Sequence, residues 1–97
     1  MCNLGVDDLF EAKGRWWCHL ISDDFSPAGL AVLHEFASRL GLPLRAFHNP
    51  EGQPRPHYDL TPPYRQRALE LGAHPLTRQQ LVAYLQLGRE RLESGKT

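Results

Sequence analysis

Pro56-His57-Tyr58-Asp59-Leu60 runs directly into Thr61-Pro62-Pro63. Pro56 keeps Arg55 extended. Thr61 followed by Pro62 reads as a helix N-cap and first helical residue, a position where proline's missing N–H is no loss. The residues between are predicted to form a short strand that enters a helix. Side chains two apart in a strand share a face. His57 and Asp59 are therefore expected to project together, with Tyr58 and Leu60 on the opposite side. An imidazole beside a carboxylate at a helix mouth can bind a metal, shuttle a proton, or form a hydrogen bond.

Working outward, the helix that opens at Pro62 is expected to reach about Leu71, with Tyr64, Ala68 and Leu71 on one face and Arg65 and Arg67 directed away. Gly72 closes it. Ala73 to Leu76 reads as a short link or edge strand, because Pro75 cannot donate within a central ladder. Thr77-Arg78-Gln79-Gln80 is a capping box. The last helix carries Leu81, Tyr84, Leu85 and Leu92 on one side and frays over Ser94 to Thr97.

Upstream, Ser26 and Pro27 open the clearest helix, and Gly41 stands where a left-handed C-cap belongs. Leu30, Leu33, Phe36, Ala37 and Leu40 give it an apolar stripe at helical spacing, with His34 at the stripe's edge. Asn3 to Leu9 is expected to be a strand ending in Asp7-Asp8, Glu11 to Arg15 a loop, and Trp16 to Ile21 a second strand. Leu42 to His48 is expected to be a strand, and Asn49 to Pro56, with three prolines and a glycine, a loop. Strands alternating with three helices predict a small single α/β domain over 1–97, its core at about 6–92 and a frayed tail at 93–97. Its short sheet is expected to be mostly parallel.

Composition sets outer bounds. The 97 residues suit one domain, and 41% hydrophobic with 23% charged content is ordinary for a globular chain. Eleven basic residues balance eleven acidic ones, which argues against a dominant nucleic-acid or membrane electrostatic role. Cys2 and Cys18 form neither a disulfide framework nor a spaced zinc motif. The sequence holds no signal peptide and no membrane-length apolar run, so a cytoplasmic location and no membrane partner are expected.

Asp7-Asp8, Trp17-Cys18-His19-Leu20, Ser22-Asp23, Leu33-His34-Glu35-Phe36-Ala37, Leu40-Gly41, His57-Tyr58-Asp59 and Gly72-Ala73 form a spaced pattern from about Val6 to Leu85. In this pattern the chain resembles a small bacterial and phage domain family catalogued only as a domain of unknown function. Met1 to Gly5 departs from that family by lacking hydrophobic alternation, and Asn49 to Arg55 looks like an inserted loop. The resemblance implies no activity.

Function must then come from the residues. Open α/β sheets bind ligands at the carboxyl ends of their strands, which gathers Asp7, Asp8, His19, His57 and Asp59 as candidate metal ligands. His57 and Asp59 are the candidate catalytic pair. Two imidazoles and a carboxylate suit a divalent ion such as Mn²⁺, Zn²⁺ or Mg²⁺ with open positions. Such an ion could polarise a phosphoryl oxygen or generate hydroxide, and Asp23 could add a ligand or hold a histidine. This predicts a divalent-metal-dependent, phosphoester-directed enzyme.

The alternative is a non-enzymatic module that binds a phosphate-containing small molecule, nucleotide or nucleic acid. Arg15 and Arg65 are its candidate cofactor-binding residues, with Arg45 and Arg67 beside them. Each member also has a plainer role. Asp7 and Asp8 could cap a turn, Asp23 and Asp24 could favour the first helix's dipole, and Trp16 and Trp17 could be core. His34 is expected to be a hydrogen-bonded helix residue, and Cys18 a small buried thiol facing away from His19. His48 and His74 receive no role.

Overall fold

The computed structural model describes residues 2–94. Six strands and three helices follow in the order β1 (Leu4–Val6), β2 (Phe10–Ala12), β3 (Arg15–Ser22), α1 (Pro27–Leu40), β4 (Phe47–His48), β5 (His57–Leu60), α2 (Pro62–Glu70), β6 (His74–Pro75) and α3 (Arg78–Ser94). The strands lie in the order β4-β5-β3-β1-β6, with β2 also on β3. Every ladder is antiparallel except that between β1 and β6. The expectation of a mostly parallel sheet is thus corrected. β5 and β6 do run in the direction of β1, but β3 lies between β1 and β5 and runs against both.

The helix ends form as their sequences dictate. Ser26 accepts a hydrogen bond from Gly29 N, and Gly41 closes α1 at φ 90°. Around α3, Thr77 N donates to Gln80 Oε1 and Gln80 N to Thr77 Oγ1, a reciprocal capping box. α1 and α2 cover one face of the sheet. There Val6, Cys18, Leu20, Tyr58 and Leu60 pack with Leu33, Phe36, Leu40 and Ala68. His34 on α1 meets the Tyr58 hydroxyl at 2.7 Å, which satisfies both polar groups beside this core. α3 lies over part of the other face, where Phe25 N donates to the Gly88 carbonyl.

Three local expectations are corrected. Glu11 to Arg15 is not a loop but a tight hairpin: Lys13 and Gly14 both take positive φ, 53° and 77°, and turn β2 into β3. Leu42 to His48 is not one strand, because Leu44–Ala46 forms a 3-10 turn and leaves only two residues for β4. Leu71 is exposed rather than packed. The tail predicted at 93–97 is helical through Ser94, and residues 95–97 lie outside the described residues, as does Met1.

The junction of β1 and β2 carries most of the consequence. Val6 pairs with Leu20 and Phe10 with Trp17, so Asp7, Asp8 and Leu9 stand opposite only Cys18 and His19. This is a β-bulge: one extra residue on one strand reverses which face later side chains occupy. Without it Phe10 and Ala12 would follow Val6 toward α1 and α2. With it they join Trp17 and Arg15 on the opposite face. Among the described residues no helix is long and apolar enough to cross a membrane.

Candidate functional site

Alternation along β3 divides its side chains. Cys18 and Leu20 enter the core, while Arg15, Trp17, His19 and Ile21 lie on the face away from α1 and α2. His19 pairs with Asp59 across β5, and His57 with His48 across β4. Residues opposite each other in an antiparallel pair share a face. His19, His57, Asp59 and His48 are therefore brought together by register alone.

The imidazoles are aimed as well as gathered. Asp7 at the bulge accepts from His19 N through Oδ1 at 2.6 Å and meets His19 Nδ1 with Oδ2 at 2.7 Å. His57 Nδ1 donates to the Arg55 carbonyl at 2.8 Å. A carbonyl or carboxylate can only accept, so both Nδ1 atoms carry hydrogen and, in the neutral rings, both Nε2 lone pairs are free. Those Nε2 atoms converge on Asp59 Oδ1, at 4.0 Å from His19 and 3.4 Å from His57. The three ligand atoms lie within 4.8 Å of one another. Nitrogen and oxygen ligands about 2.0–2.1 Å from a tetrahedral zinc stand roughly 3.3 Å apart, so small side-chain rotations close the set. Three acceptors facing one point repel unless a proton or cation sits between them.

The electrostatics follow from the same contacts. The hydrogen bond to Asp7 raises the His19 pKa against an opposing effect of burial, with the charges of Asp7 and Asp59 adding to the rise. Burial lowers that of His57 despite the Arg55 carbonyl. Beneath the site, burial and Asp7 push the Cys18 thiol up to about 12, so it is inert, facing away from His19.

Other predicted residues land elsewhere. Asp8 is exposed beside the bulge. Asp23 is buried and accepts from Asn3 N and Nδ2 while pairing with Arg91 at 2.9 Å, which ties the chain start to α3 rather than to His19. Arg65, expected to point away from its helix's packed face, donates Nε to the Asp7 carbonyl at 2.9 Å and satisfies a backbone acceptor at the bulge. Arg15 reaches the open part of the site face. Trp16 is 52% exposed and Trp17 half-buried, so the pair is not core. His48, given no role from the sequence, sits with Nε2 3.6 Å from Asp59 Oδ2. Arg55 was also missed; it lines a cleft of about 160 Å³ with His19, Ile21, His57, Leu81 and Leu85. Strand pairing places His48, whereas the turn of the loop into β5 places Arg55.

Fold and site together define a small α/β domain with a His-His-Asp cluster on the open face of a mixed sheet. The chain belongs to the family described as "Protein of unknown function (DUF4031)", whose model matches residues 6–87. No curated protein and no solved structure matches it.

Proposed function

We propose that the domain is a divalent-transition-metal-dependent enzyme that hydrolyses phosphoesters, with His19 Nε2, His57 Nε2 and Asp59 as metal ligands. The observation that carries this reading is the convergence of three acceptors, two of them imidazoles whose Nδ1 atoms are already held by Asp7 and the Arg55 carbonyl. Outer partners of this kind set the tautomer and orientation of metal-ligating histidines. Two imidazoles favour zinc, iron or manganese over magnesium and calcium. A bound ion would polarise a phosphoryl oxygen and lower the pKa of a coordinated water.

Hydrolysis adds the water oxygen to phosphorus and breaks the bond to the leaving oxygen, which takes up a proton. His48 is placed to supply that proton, since it is exposed and beside Asp59. Arg55 and Arg15, on the clefts that meet at the cluster, supply the positive charge a phosphoryl group requires.

The test is a thermal-unfolding scan of chelator-treated protein with added Mn²⁺, Zn²⁺, Mg²⁺ or Ca²⁺, followed by turnover of a chromogenic phosphodiester with the ion that binds. Zinc or manganese is expected to stabilise the parent and not His57→Ala, and turnover is expected to follow the same pattern. Absence of any metal-induced shift refutes the metal centre; a shift without turnover on phosphomonoesters or phosphodiesters refutes the reaction class.

A further inference from the structure

The open part of the same sheet face has an order of its own. From the β2–β3 turn toward the cluster stand Lys13 and Arg15, then Phe10 and Trp17, then His19 and Asp59. A groove of about 420 Å³ is lined by Phe10, Ala12, Lys13, Arg15, Trp17 and Asp59, so it reaches from the cations to the carboxylate of the cluster. Phe10 stacks on His19, ring centroids 5.0 Å apart and planes at 27°, which fixes the aromatic floor against the site. Neither Lys13 nor Arg15 has an acidic partner among the described residues. Four residues of strand from Arg15 to His19 span about 13 Å.

Resting on the metal-centre reading, we propose that the substrate is a single-stranded nucleic acid. Its scissile phosphoester lies at the cluster, one base stacks on Trp17, and the phosphate beyond that base meets Lys13 and Arg15. The sequence cation, aromatic ring, metal cluster requires a ligand with phosphates on both sides of a base. A mononucleotide offers its phosphate to only one end of the groove. A duplex keeps its bases stacked on each other, and the groove offers its backbone only the cations Lys13 and Arg15. Base stacking on an aromatic side chain tolerates any base, so binding is set by strandedness more than by sequence.

The test is fluorescence anisotropy of a labelled short oligothymidylate with the full chain in chelator, so that binding is read apart from metal and turnover. Saturable binding is expected, with weak competition from thymidine monophosphate and from a duplex of equal length. Trp17→Ala is expected to weaken binding about tenfold or more, and Trp17→Phe to keep most of it. The exposed pair Lys13→Gln with Arg15→Gln is expected to leave the fold intact and to reduce the slope of log affinity on log salt by about 0.7, the value for the one phosphate the pair neutralises.

Parent protein that does not bind the oligonucleotide overturns the proposal. So does equal competition by the mononucleotide, or an unchanged salt slope in the double variant. Metal-induced stabilisation without oligonucleotide binding removes this substrate and leaves the metal centre. Oligonucleotide binding with no response to any metal removes the metal centre and leaves the groove.

Discussion

Asp7→Asn tests whether the site is built from its outer contacts. Asp7 is 8% exposed and holds His19 through both carboxylate oxygens. Asparagine fits the same space and still accepts from His19 N, but it presents an amide N–H to Nδ1. That reverses the tautomer: Nδ1 becomes the acceptor, Nε2 takes the hydrogen, and its lone pair no longer faces Asp59. Loss of such a partner typically weakens metal binding by about 10–100-fold. With metal at about 100 times the parent dissociation constant, the parent gains roughly 2.7 kcal/mol and the variant roughly 0.4–1.4 kcal/mol. At about 5 °C per kcal/mol for a domain of this size, a rise of roughly 13 °C falls to roughly 2–7 °C. The metal-free variant also loses part of two charge-assisted bonds, about 1.5–3 kcal/mol, so each protein's metal increment is compared with its own chelated baseline. Scanning fluorimetry with zinc or manganese reads both quantities. An Asp7→Asn protein that gains as much as the parent refutes the claim that Asp7 orients the ligand.

Two further outcomes follow from the same contacts. The raised His19 pKa stabilises the metal-free fold below the unfolded value of 6.5 and is lost as pH rises through the folded value, whereas the lowered His57 pKa gives stability present above 6.5 and lost as pH falls through its folded value. Urea midpoints in chelator are thus expected to crest near pH 6.5, His19→Gln flattening the alkaline limb and His57→Gln the acid limb; limbs unchanged by either substitution contradict the assignment. In α3, a Cβ at Gly88 would lie 2.5 Å from the Phe25 ring, so Gly88→Ala is expected to cost about 1–3 kcal/mol of urea stability through overpacking. A neutral or stabilising result would show that α3 can shift on the sheet.

What could be read in the sequence tracks how local each signal is. Ser26, Pro27 and Gly41 delimit α1, and Thr77 with Gln80 starts α3, because capping chemistry is contained within one turn. His57 and Asp59 share a face for an equally local reason, the period of the strand. The hairpin was not legible because Lys13-Gly14 lacks the Asn-Gly or Asp-Gly pair that usually announces it. β4 was overestimated because an apolar run does not distinguish a strand from the 3-10 turn that Leu44–Ala46 adopts. His48 and Arg55 gained their place only through pairing and backbone contacts made across a proline-rich loop.

The misjudged strand directions explain why the site lies on a face rather than at a sheet end. In a parallel sheet all carboxyl ends coincide, and a ligand site forms in the crevice they share. Here β3 runs against both β1 and β5, so no common end exists where those three meet. Groups can converge only as opposite residues on one face, which is what the pairs His19–Asp59 and His48–His57 achieve. Such a site needs its face kept partly free of helices, and α3 covers the Ile21 end while leaving the hairpin end open. It also needs a buried acceptor near the half-buried His19 imidazole. The regular register of β1 on β3 provides it by setting Asp7 opposite His19; the extra residue that follows turns Phe10 to the same face, and Arg65 satisfies the Asp7 carbonyl. Removing Asp8 or Leu9 should therefore take Phe10 and Ala12 off the site face while leaving Asp7 against His19, because only the facing of β2 depends on that one insertion.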